Sequence, residues 1–186
     1  MDNTCCVMAA NDKDIILAMR KHPDKGFRLL MDAYKEPVYW HIRRLVVAHD
    51  DAQDAVQETF VRIFRSFGRF DEDRPLRQWI YKIATNEALR MLDRNGAGHL
   101  SLDDRDACAG CIASGSYVDY SDLETVLLQN AILSLPPRQQ IVFNLRYYDD
   151  MDYAEIAAVT DSAVSAVKAN YHIAKGKIIQ YMNSHD

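Results

Sequence analysis

The chain of 186 residues contains no run of about 18 apolar residues, so no segment of it is expected to cross a bilayer as a helix. Its opening residues, Met1-Asp2-Asn3-Thr4-Cys5-Cys6, lack the basic stretch and apolar core of a secretion signal. A cytoplasmic protein with no membrane insertion of its own is the expectation. No Gly-rich phosphate loop, pair of catalytic carboxylates or metal-spaced histidine set occurs, and the six histidines are scattered. Neither an enzymatic activity nor a cofactor nor a metal is expected. Alternating apolar and polar runs are also missing, while apolar spacings of three and four recur, so the chain reads as all-α.

Cysteine is scarce, with four in all: Cys5, Cys6, Cys108 and Cys111. Cys108-Ala-Gly-Cys111 has the spacing of half a metal site or of a redox motif, but a zinc site needs a second pair. Adjacent Cys5 and Cys6 point apart, and the acids Asp103, Asp104 and Asp106 oppose a reactive thiolate. Free thiols in a flexible segment are expected, with a thiol oxidoreductase as a competing reading.

The net charge is −5, an excess of acid unusual for a DNA binder, yet its distribution is uneven. Residues 20–94 hold 15 Lys and Arg against 12 Asp and Glu, whereas residues 95–130 hold one against six. Phosphate neutralisation supplies most non-specific DNA affinity, so this chain alone should bind DNA weakly.

The helical pattern breaks once, at Asn95-Gly96-Ala97-Gly98, and the stretch to Tyr120 is rich in Gly, Ala, Ser and Asp. Four segments follow: a tail and short helix at 1–23, a helical domain at 24–94, an acidic flexible linker at 95–120, and a second helical domain at 121–186. In the first domain a helix begins after Asp24, and Pro37 is expected to bend or interrupt it. Another begins at Asp50-Asp51, with Val56, Phe60, Ile63, Phe64 and Phe67 on its apolar stripe, and Gly68 ends it. Pro75 suits the first turn of a third helix. That helix buries Leu76, Trp79, Ile80 and Ile83 and turns Arg77, Tyr81, Lys82, Asn86 and Arg90 outward.

In the second domain Ser121-Asp-Leu-Glu124 and Asp152-Tyr-Ala-Glu155 are capping-box patterns. The last two helices fit a helix-turn-helix. Ala157 permits a close crossing, Asp161 falls where a left-handed residue is needed, and Val167 fills the gap between the helices. Val164, Val167, Tyr171, Ala174 and Ile178 form the inner stripe of the last helix. Ser165, Lys168, Ala169 and His172 project from the opposite face, where they would meet base edges and phosphates in a major groove.

Three blocks resemble the extracytoplasmic-function sigma factors, the smallest members of the sigma-70 family. Asp51-Ala-Gln-Asp-Ala-Val-Gln-Glu-Thr-Phe60 is similar to the acidic helix of sigma region two. Trp79-Ile-Tyr-Lys-Ile-Ala-Thr-Asn86 is similar to the promoter-melting helix. Leu135-Pro-Pro-Arg-Gln-Gln-Ile-Val-Phe143, with Tyr153-Ala-Glu-Ile-Ala157, resembles sigma region four. The order of the blocks is more specific than any one of them.

The resemblance implies a subunit that directs core RNA polymerase to promoter DNA, with an anti-sigma factor as an expected partner. It implies that Asp54, Gln57, Glu58 and Phe60 grip the polymerase clamp. It implies that Phe70, Asp71 and Arg74 of the loop, with Asn86, capture a flipped base of the minus-ten element, and that Arg77, Lys82, Arg90 and Arg94 hold phosphates. Ser165, Lys168, Ala169 and His172 would read the minus-thirty-five element. The sequence departs from the family there: basic residues common around Asn170 and Ile173 are absent, and Asp161 replaces a glycine. The alternative function is a polymerase-independent helix-turn-helix regulator, which usually binds two half-sites as a dimer.

Overall fold

The structure is a computed structural model and describes residues 11–95 and 123–184. The linker residues 96–120 and all four cysteines lie outside the described residues, as does the start of the Ser121–Glu124 capping pattern. Eight α-helices make up the described residues, with no strand among them. They are α1 (Asp12–Lys21), α2 (Pro23–Val46), α3 (His49–Ser66), α4 (Leu76–Asn95), α5 (Leu123–Leu133), α6 (Pro137–Tyr147), α7 (Tyr153–Thr160) and α8 (Val164–Ser184).

Helix α1 has Asp12 and Asp14 in its first turn and Arg20 and Lys21 in its last, both favourable to the helix dipole. It crosses α2 at backbone distance. A Cβ on Gly26 would sit 2.2 Å from the Met19 nitrogen and 2.4 Å from its Cα, so only glycine fits. The Tyr34 hydroxyl donates to Asp12 Oδ1 at 2.6 Å and ties the same two helices.

Helix α2 runs through Pro37 without ending. The proline is exposed, while Leu30, Tyr34, Val38 and Ile42 on either side of it are buried. Burial of that stripe outweighs a helix-interior proline, which costs roughly 3 kcal/mol. The helix stops at Val47, whose φ of 69° and ψ of −46° form a tight γ-turn, with Ala48 N donating to Val46 O at 2.9 Å. Left-handed backbone is costly for a β-branched residue, and here it returns the chain directly into α3.

Helix α3 ends at Ser66 in a single 3-10 turn, Phe67–Arg69, close to the stop expected at Gly68. Pro75 sits just before α4, and its carbonyl accepts from Trp79 N. In the second domain Asp152 Oδ1 accepts from Ala154 N and Glu155 N at 2.7 and 2.8 Å, and Glu155 Oε2 accepts from Asp152 N at 2.8 Å. This reciprocal capping box starts α7 where the sequence placed it.

The two helical domains touch. One apolar core extends from Ile15 on α1 through α2, α3 and α4 into Ile141, Val142, Leu145, Met151, Ile156, Ala157, Val159 and Val167 of the second domain. A smaller cluster, Ala131, Ile132, Leu135, Phe143, Ala174 and Ile178, holds α5 and α8 against α6. Helix α7 packs on α4, and α6 packs on α2.

Candidate functional site

The outer face of α3 is open. Asp54 and Gln57 are exposed and Glu58 is partly exposed along α3. Phe60 is only 4% exposed and packs edge-on to Phe27 at 6.4 Å. The aromatic that reaches the surface is Phe64, 45% exposed, one turn later, with Val61 beside it. The expected apolar stripe contained both phenylalanines. The helix turns far enough between them to bury one and expose the other.

The loop before α4 is braced from an unexpected side. Arg20 on α1 pairs with Glu72 at 2.8 Å through Nε, donates to the Phe70 carbonyl at 3.1 Å, and lies over the Phe67 ring. Phe70 itself is buried, stacked on Phe67 at 5.6 Å and against Trp79 at 4.9 Å. Its side chain fixes the loop, while Asp71 and Arg74 are exposed and paired with each other at 3.4 Å. A cleft of about 560 Å³ lies between α3 and α4, lined by Arg62, Arg65, Arg69, Asn86 and Arg90. The buried Glu87 carboxylate holds Arg62 Nε at 2.7 Å and Arg90 Nη1 at 2.6 Å, which orients two of those arginines.

The remaining residues of the outward side of α4 are buried or partly covered. Tyr81 is 2% exposed, and its hydroxyl lies 3.3 Å from Asp149 Oδ1 in the turn between α6 and α7. The second oxygen of Asp149 meets His41 Nδ1 at 3.1 Å, and His41 Nε2 meets the Thr85 hydroxyl at 2.9 Å. A carboxylate only accepts, so Nδ1 carries the proton of that contact. Arg44 Nη1 stands 3.6 Å from Asp149 Oδ1, with its guanidinium over the Tyr148 ring at 4.1 Å. Arg77 donates to the Asp149 backbone carbonyl, and Lys82 Nζ pairs with Asp161 Oδ1 at 2.6 Å. Burial, reinforced by the Asp149 charge, pushes the Tyr81 hydroxyl well above its ordinary value. Burial, with the hydrogen bond to Asp12, does the same to Tyr34.

The helix-turn-helix has the geometry its spacing suggested. Asp161 adopts φ 51° and ψ 40°, left-handed, and ends α7. Val167 is fully buried and Ala157 nearly so. Ser165, Lys168, Ala169 and His172 are all exposed along α8. Ala174 and Ile178 are buried and Tyr171 half-buried, stacked on Phe143 at 5.9 Å. Val164, expected on the inner stripe, is 40% exposed because it is the first residue of the helix and lies beyond the reach of α7.

Sequence reading missed five contributors. Phe64 looked like core because its spacing fits the buried stripe, and Val61 was given no role. Arg65 and Arg69 looked like ordinary surface charge, and only the folded cleft groups them beside Asn86 and Arg90. Asp149 carried no local signal, since its partners lie 68 to 108 residues away in sequence.

Residues 30–97 match the Sigma-70 region 2 family model, and residues 125–178 match that of Sigma-70, region 4. The chain is 26% identical over 171 residues to the ECF RNA polymerase sigma factor SigW of Bacillus subtilis, covering 86% of this chain and 90% of the relative. It is 29% identical over 176 residues to the ECF RNA polymerase sigma-E factor of Escherichia coli K12, covering 90% and 92%. Among solved structures it resembles CnrH in complex with the cytosolic domain of CnrY, with a TM-score of 0.73 and 22% identity over 94% of this chain and 99% of that one. It also resembles the sigma factor RpoE in complex with the anti-sigma factor NepR from Bartonella quintana, with a TM-score of 0.69 and 20% identity over 86% and 98%. These two likenesses establish the fold.

Proposed function

The chain belongs to the sigma-70 family of RNA polymerase sigma factors, and from that membership we propose how its faces divide the work of promoter-specific initiation. It is a sigma factor of the extracytoplasmic-function group, formed by a region-two domain and a region-four domain. The outer face of α3 is the polymerase-binding face. The single observation carrying this assignment is the joint exposure of Asp54, Gln57, Val61 and Phe64 on one helix side. An exposed aromatic ringed by polar groups has the make-up of an interface hot spot. Phe60 supports that face from below.

Region two takes the minus-ten element along the loop and α4. Asp71, Arg74 and Asn86 meet the bases, while Arg77, Lys82, Arg90 and Arg94 meet phosphates, joined by Arg65 and Arg69 of the cleft. Phe70 shapes the loop from within. A polar pocket with an aromatic floor offsets part of the few kcal/mol needed to unstack a base. Ser165, Lys168, Ala169 and His172 read the minus-thirty-five element from α8. The chemistry of RNA synthesis belongs to the polymerase and none is assigned to this chain.

The protein works in the cytoplasm; no helix among the described residues is long and apolar enough to cross a membrane. An anti-sigma factor is the proposed regulator, supported by the similar fold of RpoE having been captured with the anti-sigma factor NepR.

The test is to mix the purified chain with core RNA polymerase and a library of promoter fragments. Co-elution with the polymerase and new transcripts from a subset of fragments are expected. Absence of both would sink the assignment.

A further inference from the structure

The loop from Phe70 to Arg74 is anchored from inside by the Phe70 ring and from outside by one arginine of α1. We infer that Arg20 is a positioning residue for the minus-ten element, holding this loop in the shape that tells one captured base from another. Helix α1 then belongs to the reading unit although it makes no contact with the base. The consequence for base choice rests on the minus-ten assignment above; the brace itself does not.

Bonds within the loop shape it without attaching it. Asp73 N donates to Asp71 Oδ1 and Arg74 N to the Asp71 carbonyl, both at 3.1 Å, and the Arg74 side chain pairs back with Asp71. The polar attachment to the rest of the domain passes through one guanidinium. Arg20 Nε donates to Glu72 Oε1 at 2.8 Å and Nη2 donates to the Phe70 carbonyl at 3.1 Å, with the group 5.4 Å from the centre of the Phe67 ring. Residues 70 and 72 are thus held by the same side chain, and Asp71 stands between them. A planar fork of donors can grip a carbonyl and a carboxylate together; the compact ammonium of a lysine cannot reproduce that geometry.

The platform beneath Arg20 is rigid. Ile15 and Met19 are buried, Gly26 lets α1 and α2 cross at backbone distance, and Tyr34 ties Asp12 to α2. Helix α1 precedes residues 30–97, the range that matches region two, so the match assigns Arg20 no role.

Exposure decides where the brace acts. The side chains of Arg20 and Glu72 are 40% and 54% exposed, so their pair adds little to global stability. Its effect falls on the loop. A loop without the brace must be ordered anew each time it closes on a base, and small misplacements of its polar groups weaken recognition steeply.

The experiment uses the full chain bound to core polymerase. The probe is a short single-stranded DNA carrying the minus-ten segment of a fragment that initiates in the library test, made with each of the four bases at each position. Spread among the four bases separates positioning from charge, because a cation that only meets phosphate strengthens all four equally. Arg20→Ala should weaken the preferred oligonucleotide roughly tenfold and narrow the spread about fivefold. Arg20→Lys should behave like Arg20→Ala, since charge without the fork does not brace. Glu72→Gln, which loosens one of the two polar anchors from the loop side, should narrow the spread about twofold. Lys21→Ala removes an exposed neighbouring charge and should leave the spread unchanged. Core-polymerase affinity should change less than about twofold throughout, because none of these positions lies on α3. In the free chain, the Asp73 and Arg74 amides should exchange hydrogen several-fold faster in Arg20→Ala. Equal weakening of all four oligonucleotides, restoration of the spread by Arg20→Lys, or unchanged amide exchange would each overturn the inference while leaving the minus-ten assignment standing. An unsubstituted complex indifferent to every base would remove that assignment and the inference with it.

Discussion

Helices α3 and α4 of region two carry similar patterns, an inner apolar stripe and an outer side of polar and charged groups, yet the structure treats their outer sides differently. On α3 the outer side is bare, with Asp54 and Gln57 in solvent and Phe64 beside them. On α4 much of it lies under region four, with Tyr81 almost fully enclosed and Arg77 and Lys82 paired across the boundary. Periodicity reports which side of a helix avoids its own domain core. It says nothing about whether a distant segment covers the other side.

The sharpest way to break this contrast is to truncate one aromatic on each outer side. Tyr81→Ala should cost about 3–5 kcal/mol of stability in a urea titration, as for other buried aromatics. A cost under about 0.5 kcal/mol, typical of surface positions, would mean the α4 side is open. Phe64→Ala should leave stability within about 1 kcal/mol but weaken core-polymerase binding roughly tenfold or more, measured by titration against labelled polymerase. Phe60→Ala should do the reverse, unfolding more readily because Phe60 is core.

A smaller effect concerns pH. The hydroxyls of Tyr34 and Tyr81 have folded-state values above the unfolded value of about 10. Their contribution is therefore fully present below about pH 10 and is lost as pH rises through the folded values. The urea midpoint should fall in alkaline solution, and Tyr81→Phe should remove part of that fall. A midpoint independent of pH above 10 would show that neither hydroxyl is enclosed as described. The smallest expected effect is on region four. Lys168→Ala should reduce promoter use severalfold with little change in polymerase binding, since Lys168 is exposed on α8 and far from α3. Equal loss of both would refute the division between the faces.

Much of the fold was legible in the sequence. The Asp152–Glu155 capping box, the left-handed Asp161, buried Val167 and the helix start at Pro75 follow from local chemistry acting within a few residues. Pro37, expected to bend or interrupt its helix, does not interrupt it, because the buried stripe on either side carries α2 past it. The candidate site was less legible. Phe60 and Phe64 differ only by one turn and both meet Phe27 from another helix, so their different burial shows only in the folded packing. Tyr81 looked outward because the domain that buries it begins some 40 residues later. Asp149 looked like a turn residue, and only long-range partners make it the centre of an interior polar cluster. Local rules place elements; contacts between domains decide which faces remain available.

Hydroxyl-radical footprinting of the full chain, free and bound to core polymerase, reads both faces in one experiment. The account predicts that Phe64 is oxidised in the free chain and protected in the complex, while Tyr81, enclosed beneath Asp149, is silent in the free chain. Unchanged labelling of Phe64 on binding, or ready oxidation of Tyr81 in the free chain, would contradict it.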